Sequence, residues 1–252
     1  MEYSGPVSDC RRELRLLPPL SRGGQTLQSL EWQCHPQPDG CEEKTDDFGN
    51  RLLLLHHRRL AKQLRFEMIL VTSHVPDTNV PQSVNLPPSG LGAFLLPSAL
   101  CNLTPQIRRD ATTLQSATPL EICDFVYRQL EYAPGTTGLN TSASQSLQSG
   151  SGVCQDFAHA MIALCRALKM PARYVSGYLP GEGALHAWCE VLVNEEWMGY
   201  DPTHNRPIRD DYVFVACGRD FRDCATHSGT FRGKAQARLS SYGKTALIDT
   251  PT

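Results

Sequence analysis

The 252-residue chain is 40% hydrophobic and 20% charged, with a formal net charge of -2, a soluble globular composition long enough for one large core or two ordinary ones. That balance excludes a nucleic-acid polyanion as the main partner, because such proteins carry a basic excess. No apolar run approaches the roughly 20 residues that span a bilayer, so no membrane is expected as a partner.

Met1-Glu2-Tyr3-Ser4-Gly5-Pro6 lacks the charged and hydrophobic regions of a signal peptide, and the chain reads as cytoplasmic and complete. Its ten cysteines include no C-x-x-C; the nearest spacings, Cys34 to Cys41 and Cys217 to Cys224, are seven residues. Neither a zinc site nor a disulfide framework follows from such spacing. Cys123, Cys165 and Cys189 sit inside apolar patterns, as reduced cysteine does when it packs as a small hydrophobe, and a reducing compartment is expected.

Residues 1–97 read as short strands broken by turns, ending in a linker. Arg15-Leu16-Leu17, Leu27 to Cys34, Arg51 to His56 and Leu64 to Thr72 are strand candidates, with a turn at Asp46-Asp47-Phe48-Gly49-Asn50. Their spacing predicts an all-β, sandwich-like domain. His56 and His57 are neighbours on a strand and point to opposite faces, which predicts two surface histidines rather than a metal pair. Thr78 to Pro97, rich in proline, reads as a linker or surface strap.

Residues 98–228 form the second predicted domain. Thr104-Pro105 and Thr118-Pro119 each place an N-cap threonine before a first-turn proline, and Glu121 completes a capping box with Thr118. The helix after Thr118 is expected to stop at Pro134-Gly135, and Thr136 to Gly152 is expected to be an exposed loop. Val153, Phe157, Met161, Leu164 and Leu168 then recur at helical spacing, so a mostly buried helix begins at Cys154. Arg166 and Lys169 fall in its last turn, where cations are favoured, and Pro171 ends it.

A thiol in the first turn of a helix meets unpaired N–H groups and the positive end of the dipole, which favour the thiolate. A nucleophilic thiol also needs a base and a group to orient that base. After a strand at Ala172 to Tyr178, a hairpin turning at Asn194-Glu195 carries His186 on one arm and Asp201 on the other. If Leu192 pairs with Glu195, Asp201 stands directly across from His186, with Cβ atoms about 4.5–5.5 Å apart. Cys154, His186 and Asp201 in this order form the pattern of a Cys-His-Asp acyl-transfer site. Gln155, Trp188 and Tyr178 are weaker candidates for binding substrate. Residues 229–252 read as a tail, with a last strand expected between Ala235 and Leu247.

Gly152-Val153-Cys154-Gln155-Asp156-Phe157-Ala158-His159, Pro171 to Tyr178, His186-Ala187-Trp188-Cys189-Glu190-Val191 and Asp201-Pro202-Thr203 closely resemble the bacterial transglutaminase-like family. Gly218 to Asp223, Arg15-Leu16-Leu17-Pro18 and Asp47-Phe48-Gly49-Asn50 extend the resemblance over nearly the whole chain. Cys189, where valine is expected, and Ser149-Gly150-Ser151, where a basic residue is expected, depart from the pattern. The resemblance implies an α+β, papain-like core in which the cysteine helix packs on an antiparallel sheet, preceded by the β-rich domain. It also implies Cys154 as nucleophile, His186 as general base and acid, and Asp201 as the residue that orients it. Hydrolysis of a peptide or protein acyl donor is the expected reaction; a cross-linking transglutaminase and a non-catalytic peptide-binding module are the alternatives. No clustered carboxylates suit calcium, and no cofactor or metal is expected.

Overall fold

The computed structural model describes residues 1–75, 87, 89–181 and 185–248. Much of the Thr78 to Pro97 stretch therefore lies outside the described residues. Among the described residues no helix is long and apolar enough to cross a membrane.

Two antiparallel sheets pack face to face at the amino-terminal end. One runs His227–Arg232, Val7–Leu17, Arg51–Leu60, Gly40–Thr45; the other runs Ser21–Arg22, Gln25–His35, Arg65–His74. Alternation turns Leu53 and Leu55 of one strand, and Cys10 and Leu14 of its neighbour, into a shared core that also holds Val7 and Cys34. The expected strands are present and longer. The longest unexpected one is Gly40–Thr45, exposed along its whole length. An edge strand of sequence Gly-Cys-Glu-Glu-Lys-Thr buries nothing and carries the charges that discourage edge-to-edge pairing, so it has no hydrophobic signature. His56 and His57 do point apart, but only His56 is at the surface. His57 is buried, its Nε2 3.0 Å from the Pro36 carbonyl.

The last strand expected between Ala235 and Leu247 is the short Ala237–Arg238, pairing with Glu2–Tyr3. A longer returning strand, His227–Arg232, precedes it and pairs with Val7–Leu17. The tail thereby completes the first sheet.

The second half is built on a five-stranded antiparallel sheet ordered Arg206–Pro207, Glu196–Asp201, His186–Val193, Ala172–Tyr178, Val213–Gly218. The helix Cys154–Ala167 packs on one face, contributing Phe157, Met161, Ile162 and Leu164 to a core with Tyr174, Cys189 and Val191. The other face holds Val175, Trp188, Tyr212 and Phe214, with Phe48 from the first half against them.

Both expected threonine caps are present. Thr104 Oγ1 accepts from the Ile107 N–H, and Thr118 and Glu121 form the capping box. The helix Pro119–Gln129 ends well before Pro134, because Glu131–Tyr132 leaves it to pair in parallel with Ser151–Gly152. Inside the expected loop lies another helix, Ala143–Ser149, started by Ser142 and Gln145, whose Oε1 accepts the Ser142 N–H at 2.9 Å. Arg166 is not a surface cation balancing the helix dipole. It is fully buried and donates to the carbonyls of Phe94, Ala172 and Arg219 at 3.1, 2.9 and 2.7 Å, binding the short helix Gly92–Leu95 to the core.

Side-chain amides join the two halves. Gln25 and Asn50 each bond both backbone groups of one residue on the edge strand Val213–Gly218, Phe214 at 3.1 and 2.7 Å and Cys217 at 2.7 and 2.8 Å. They substitute for a neighbouring strand and cover an otherwise open edge. Arg22 reaches across to Glu190 at 2.8 Å, and Arg173 meets the same carboxylate at 2.6 Å. This ion cluster is out of solvent, and the pairing keeps Glu190 below its ordinary range even though burial alone would raise it.

Candidate active site

Cys154 reaches its position through the two residues before it. Ser151–Gly152 is fixed by pairing with Glu131–Tyr132, and Asp156 folds back so that its Oδ2 accepts the Val153 N–H at 2.9 Å and the Thr137 hydroxyl at 2.6 Å. Gly152 makes this possible, since a Cβ there would lie 2.6 Å from the Asp156 Cβ. Cys154 is half-buried at the start of its helix; every other cysteine except Cys41 is buried.

The hairpin loop is two residues long, with Asn194 and Glu195 both left-handed at φ 50° and 67°, the geometry of a type I′ turn. Val193 pairs with Glu196 and Cys189 with Tyr200, so the register sits two residues away from the expected pairing of Leu192 with Glu195. Continued one step, it sets Asp201 across from Trp188 and diagonal to His186. An even shift preserves the face, so the two side chains still meet.

His186 Nε2 lies 2.7 Å from Asp201 Oδ2, with both residues buried. With Nε2 taken by Asp201, Nδ1 is the nitrogen left for the Cys154 thiol. Burial disfavours a charged imidazole, but Asp201 and Cys154 outweigh it, and His186 is pushed up to about 10. Burial likewise opposes the Asp201 anion, yet donors from His186, His204 and Tyr212 hold it well below the usual carboxylate range.

Two of those donors have no counterpart in the sequence reading. His204 Nδ1 donates to Asp201 Oδ2 at 2.7 Å, and the Tyr212 hydroxyl donates to the same oxygen at 2.6 Å. The other oxygen, Oδ1, accepts the N–H groups of Thr203 and His204 at 2.9 and 3.3 Å. Asp201-Pro202-Thr203-His204 is thus an Asx-type turn that folds the fourth residue back to the first residue's carboxylate. The Asp-Pro pair is the signal that could have found His204; no local pattern leads to Tyr212.

The weaker candidates are placed as follows. Trp188 is 2% exposed and supports the imidazole from the core side, with ring centroids 6.5 Å apart at 27°. Gly177 makes room for it, since a Cβ there would strike the Trp188 ring and the Val213 carbonyl. Trp188 has almost no surface left for a substrate. Gln155 is largely buried and donates to the Leu139 carbonyl at 3.4 Å. Tyr178 is half-buried against the helical core, its hydroxyl pushed up to about 12 by burial. Among the described residues, His186, Asp201 and His204 are the group whose metal-capable atoms fall within 4.8 Å of one another, and both imidazoles there are bonded to the carboxylate.

Residues 102–202 match the family model of the transglutaminase-like superfamily core, and residues 1–73 match the bacterial transglutaminase-like N-terminal region. The chain belongs to the transglutaminase-like superfamily. It is 39% identical over 121 residues to an uncharacterized protein of Mycobacterium leprae, covering 44% of this chain and 43% of that one. It is 33% identical over 163 residues to an uncharacterized protein of Mycobacterium tuberculosis, covering 54% and 52%. The chain spans about half the length of these curated relatives. Among solved structures, that of a "putative cysteine protease" from Cytophaga hutchinsonii shares its fold at a TM-score of 0.70 and 24% identity, over 97% of this chain and 92% of that one. The transglutaminase-like core with its β-rich leading region agrees with the fold class expected from the sequence.

Proposed function

We propose that the chain is a thiol-dependent acyl-transfer enzyme acting on peptide or protein amides, with water as the acceptor. The observation that carries this reading is the 2.7 Å bond between His186 and Asp201, on an imidazole whose acidity the Cys154 thiol also shifts. Cys154 attacks the amide carbonyl as thiolate, and the first-turn N–H groups of its helix are available to the developing oxyanion. His186, charged at neutral pH, protonates the departing amine, leaving a thioester on sulfur. It then takes a proton from the attacking water, and collapse of the second tetrahedral species releases the acid and restores the thiolate beside the charged imidazole. Asp201 fixes the ring and favours its charged form.

The test is a panel of peptide and isopeptide amides, with free amines offered as competing acceptors. Release of free acid that depends on Cys154 supports hydrolysis, and amine incorporation outrunning acid release replaces it with transamidation. Binding of peptides without turnover overturns the enzymatic reading.

A further inference from the structure

The carboxylate that serves His186 is shared. Asp201 Oδ2 accepts three donors at once: His186 Nε2 at 2.7 Å, His204 Nδ1 at 2.7 Å and the Tyr212 hydroxyl at 2.6 Å. One carboxylate oxygen has two lone-pair directions, so the three compete for its charge. His204 is held in place for the contest. Its own N–H is caught by Asp201 Oδ1 at 3.3 Å, and the next residue, Asn205, sits left-handed at φ 51° and donates to Asp124 at 2.9 Å on the helix Pro119–Gln129. The two imidazoles lie 5.3 Å apart, centroid to centroid.

We propose that His204 is a positioning residue that draws charge from Asp201 and so tunes the acidity of the His186 imidazolium. This rests on the acyl-transfer reading above. A carboxylate stabilised by extra donors is a weaker base and holds the Nε2 proton less tightly. The imidazolium is then a stronger acid toward the leaving amine, and the Asx turn keeps the oxygen aimed at the ring.

The other groups facing this carboxylate define the field in which His204 acts. Tyr212 arrives from the chain before Val213–Gly218, and its hydroxyl accepts from Arg206 Nε at 3.0 Å. Asp211 stands 3.8 Å from Arg206. Cys123, on the helix Pro119–Gln129, is a buried thiol pushed up to about 12 by burial and then by Asp201, so it adds no charge at neutral pH. Cys154 also acts on His186. His204 is the partly exposed member, with 36% of its side chain open, so its substitution leaves the core intact.

The sign of the effect follows. Removing the His204 donor makes Asp201 more basic, raises the His186 pKa further and weakens the imidazolium as an acid. The experiment titrates the full chain labelled with ¹⁵N-histidine by NMR, with His186 assigned from the His186→Ala spectrum, alongside pH profiles of kcat/KM. His204→Ala is expected to move the His186 titration upward by about 0.5–1 pH unit, move the alkaline limb of kcat/KM with it, and lower kcat/KM about tenfold. His204→Asn places an amide N–H where Nδ1 stands and is expected to return both curves to within about 0.2 unit of wild type. A His186 titration unmoved in His204→Ala, or His204→Asn behaving like His204→Ala, overturns the proposal while leaving the acyl-transfer reading intact. A wild-type His186 titrating at or below the ordinary imidazole value of about 6.5 overturns both.

Discussion

Asp201 meets His186 on the diagonal of the hairpin, 2.7 Å from carboxylate to ring, with Trp188 filling the directly opposed position beneath the imidazole. The meeting depends on the parity of the Asn194-Glu195 turn. Glu195 takes a left-handed conformation at φ 67°, which costs a side-chain-bearing residue about 1 kcal/mol. Glu195→Gly keeps the two-residue loop and is expected to raise the stability measured by denaturant unfolding by about 0.5–1 kcal/mol without changing activity. A loss of activity in that variant would show that the turn does more than set the register.

Gly152, two residues before the thiol, has no room for a side chain. Gly152→Ala drives a Cβ into Asp156, and the helix cap must yield. The expected cost is about 1–3 kcal/mol of stability, accompanied by slower alkylation of Cys154. If alkylation at Cys154 keeps its wild-type rate, the Asp156 cap has no part in presenting the sulfur.

Cysteine accessibility sets an order of reactivity. Iodoacetamide should label Cys154 first and Cys41 more slowly, because partial desolvation by its neighbours and the Glu43 charge push the Cys41 thiol up. The other eight are buried and should react only on unfolding. His186→Ala should slow Cys154 alone. Peptide mass spectrometry over a time course reads all ten.

The two charged partners impose opposite pH dependences on stability. His186 is raised to about 10, so its contribution is fully present below the ordinary imidazole value of about 6.5 and is lost as pH climbs toward 10. Asp201 is lowered, so its contribution is present above the ordinary carboxylate value of about 3.9 and is lost as pH falls below it. Asp201→Asn should therefore destabilise most between about pH 4 and 6.5, with the gap to wild type narrowing toward pH 10. Urea denaturation at a series of pH values measures the difference, and a gap that widens above pH 8 would contradict the assigned charges.

Part of this arrangement is written locally in the sequence and part is not. The Thr118 and Glu121 capping box, the apolar period after Cys154 and the hairpin strand that begins at His186 are each set within a few residues, and these elements form as read. The Gly40–Thr45 strand shows no pattern because it buries nothing. The helix Ala143–Ser149 has its capping pair, Ser142 and Gln145, submerged in a run of serines that reads as loop. The turn at Asn194-Glu195 is as read, and with those two residues forming the loop the closing pair is Val193 with Glu196 rather than Leu192 with Glu195. Tyr212 approaches Asp201 from a separate segment, and such convergence depends on how the sheet is assembled.

The central claim is that Cys154 becomes acylated. Wild-type protein mixed with a turned-over peptide amide and quenched in acid should yield a thioester on the peptide containing Cys154, and Cys154→Ala should give neither adduct nor product. Product formed by Cys154→Ala at a comparable rate, or an acyl group trapped on any other residue, would contradict the account.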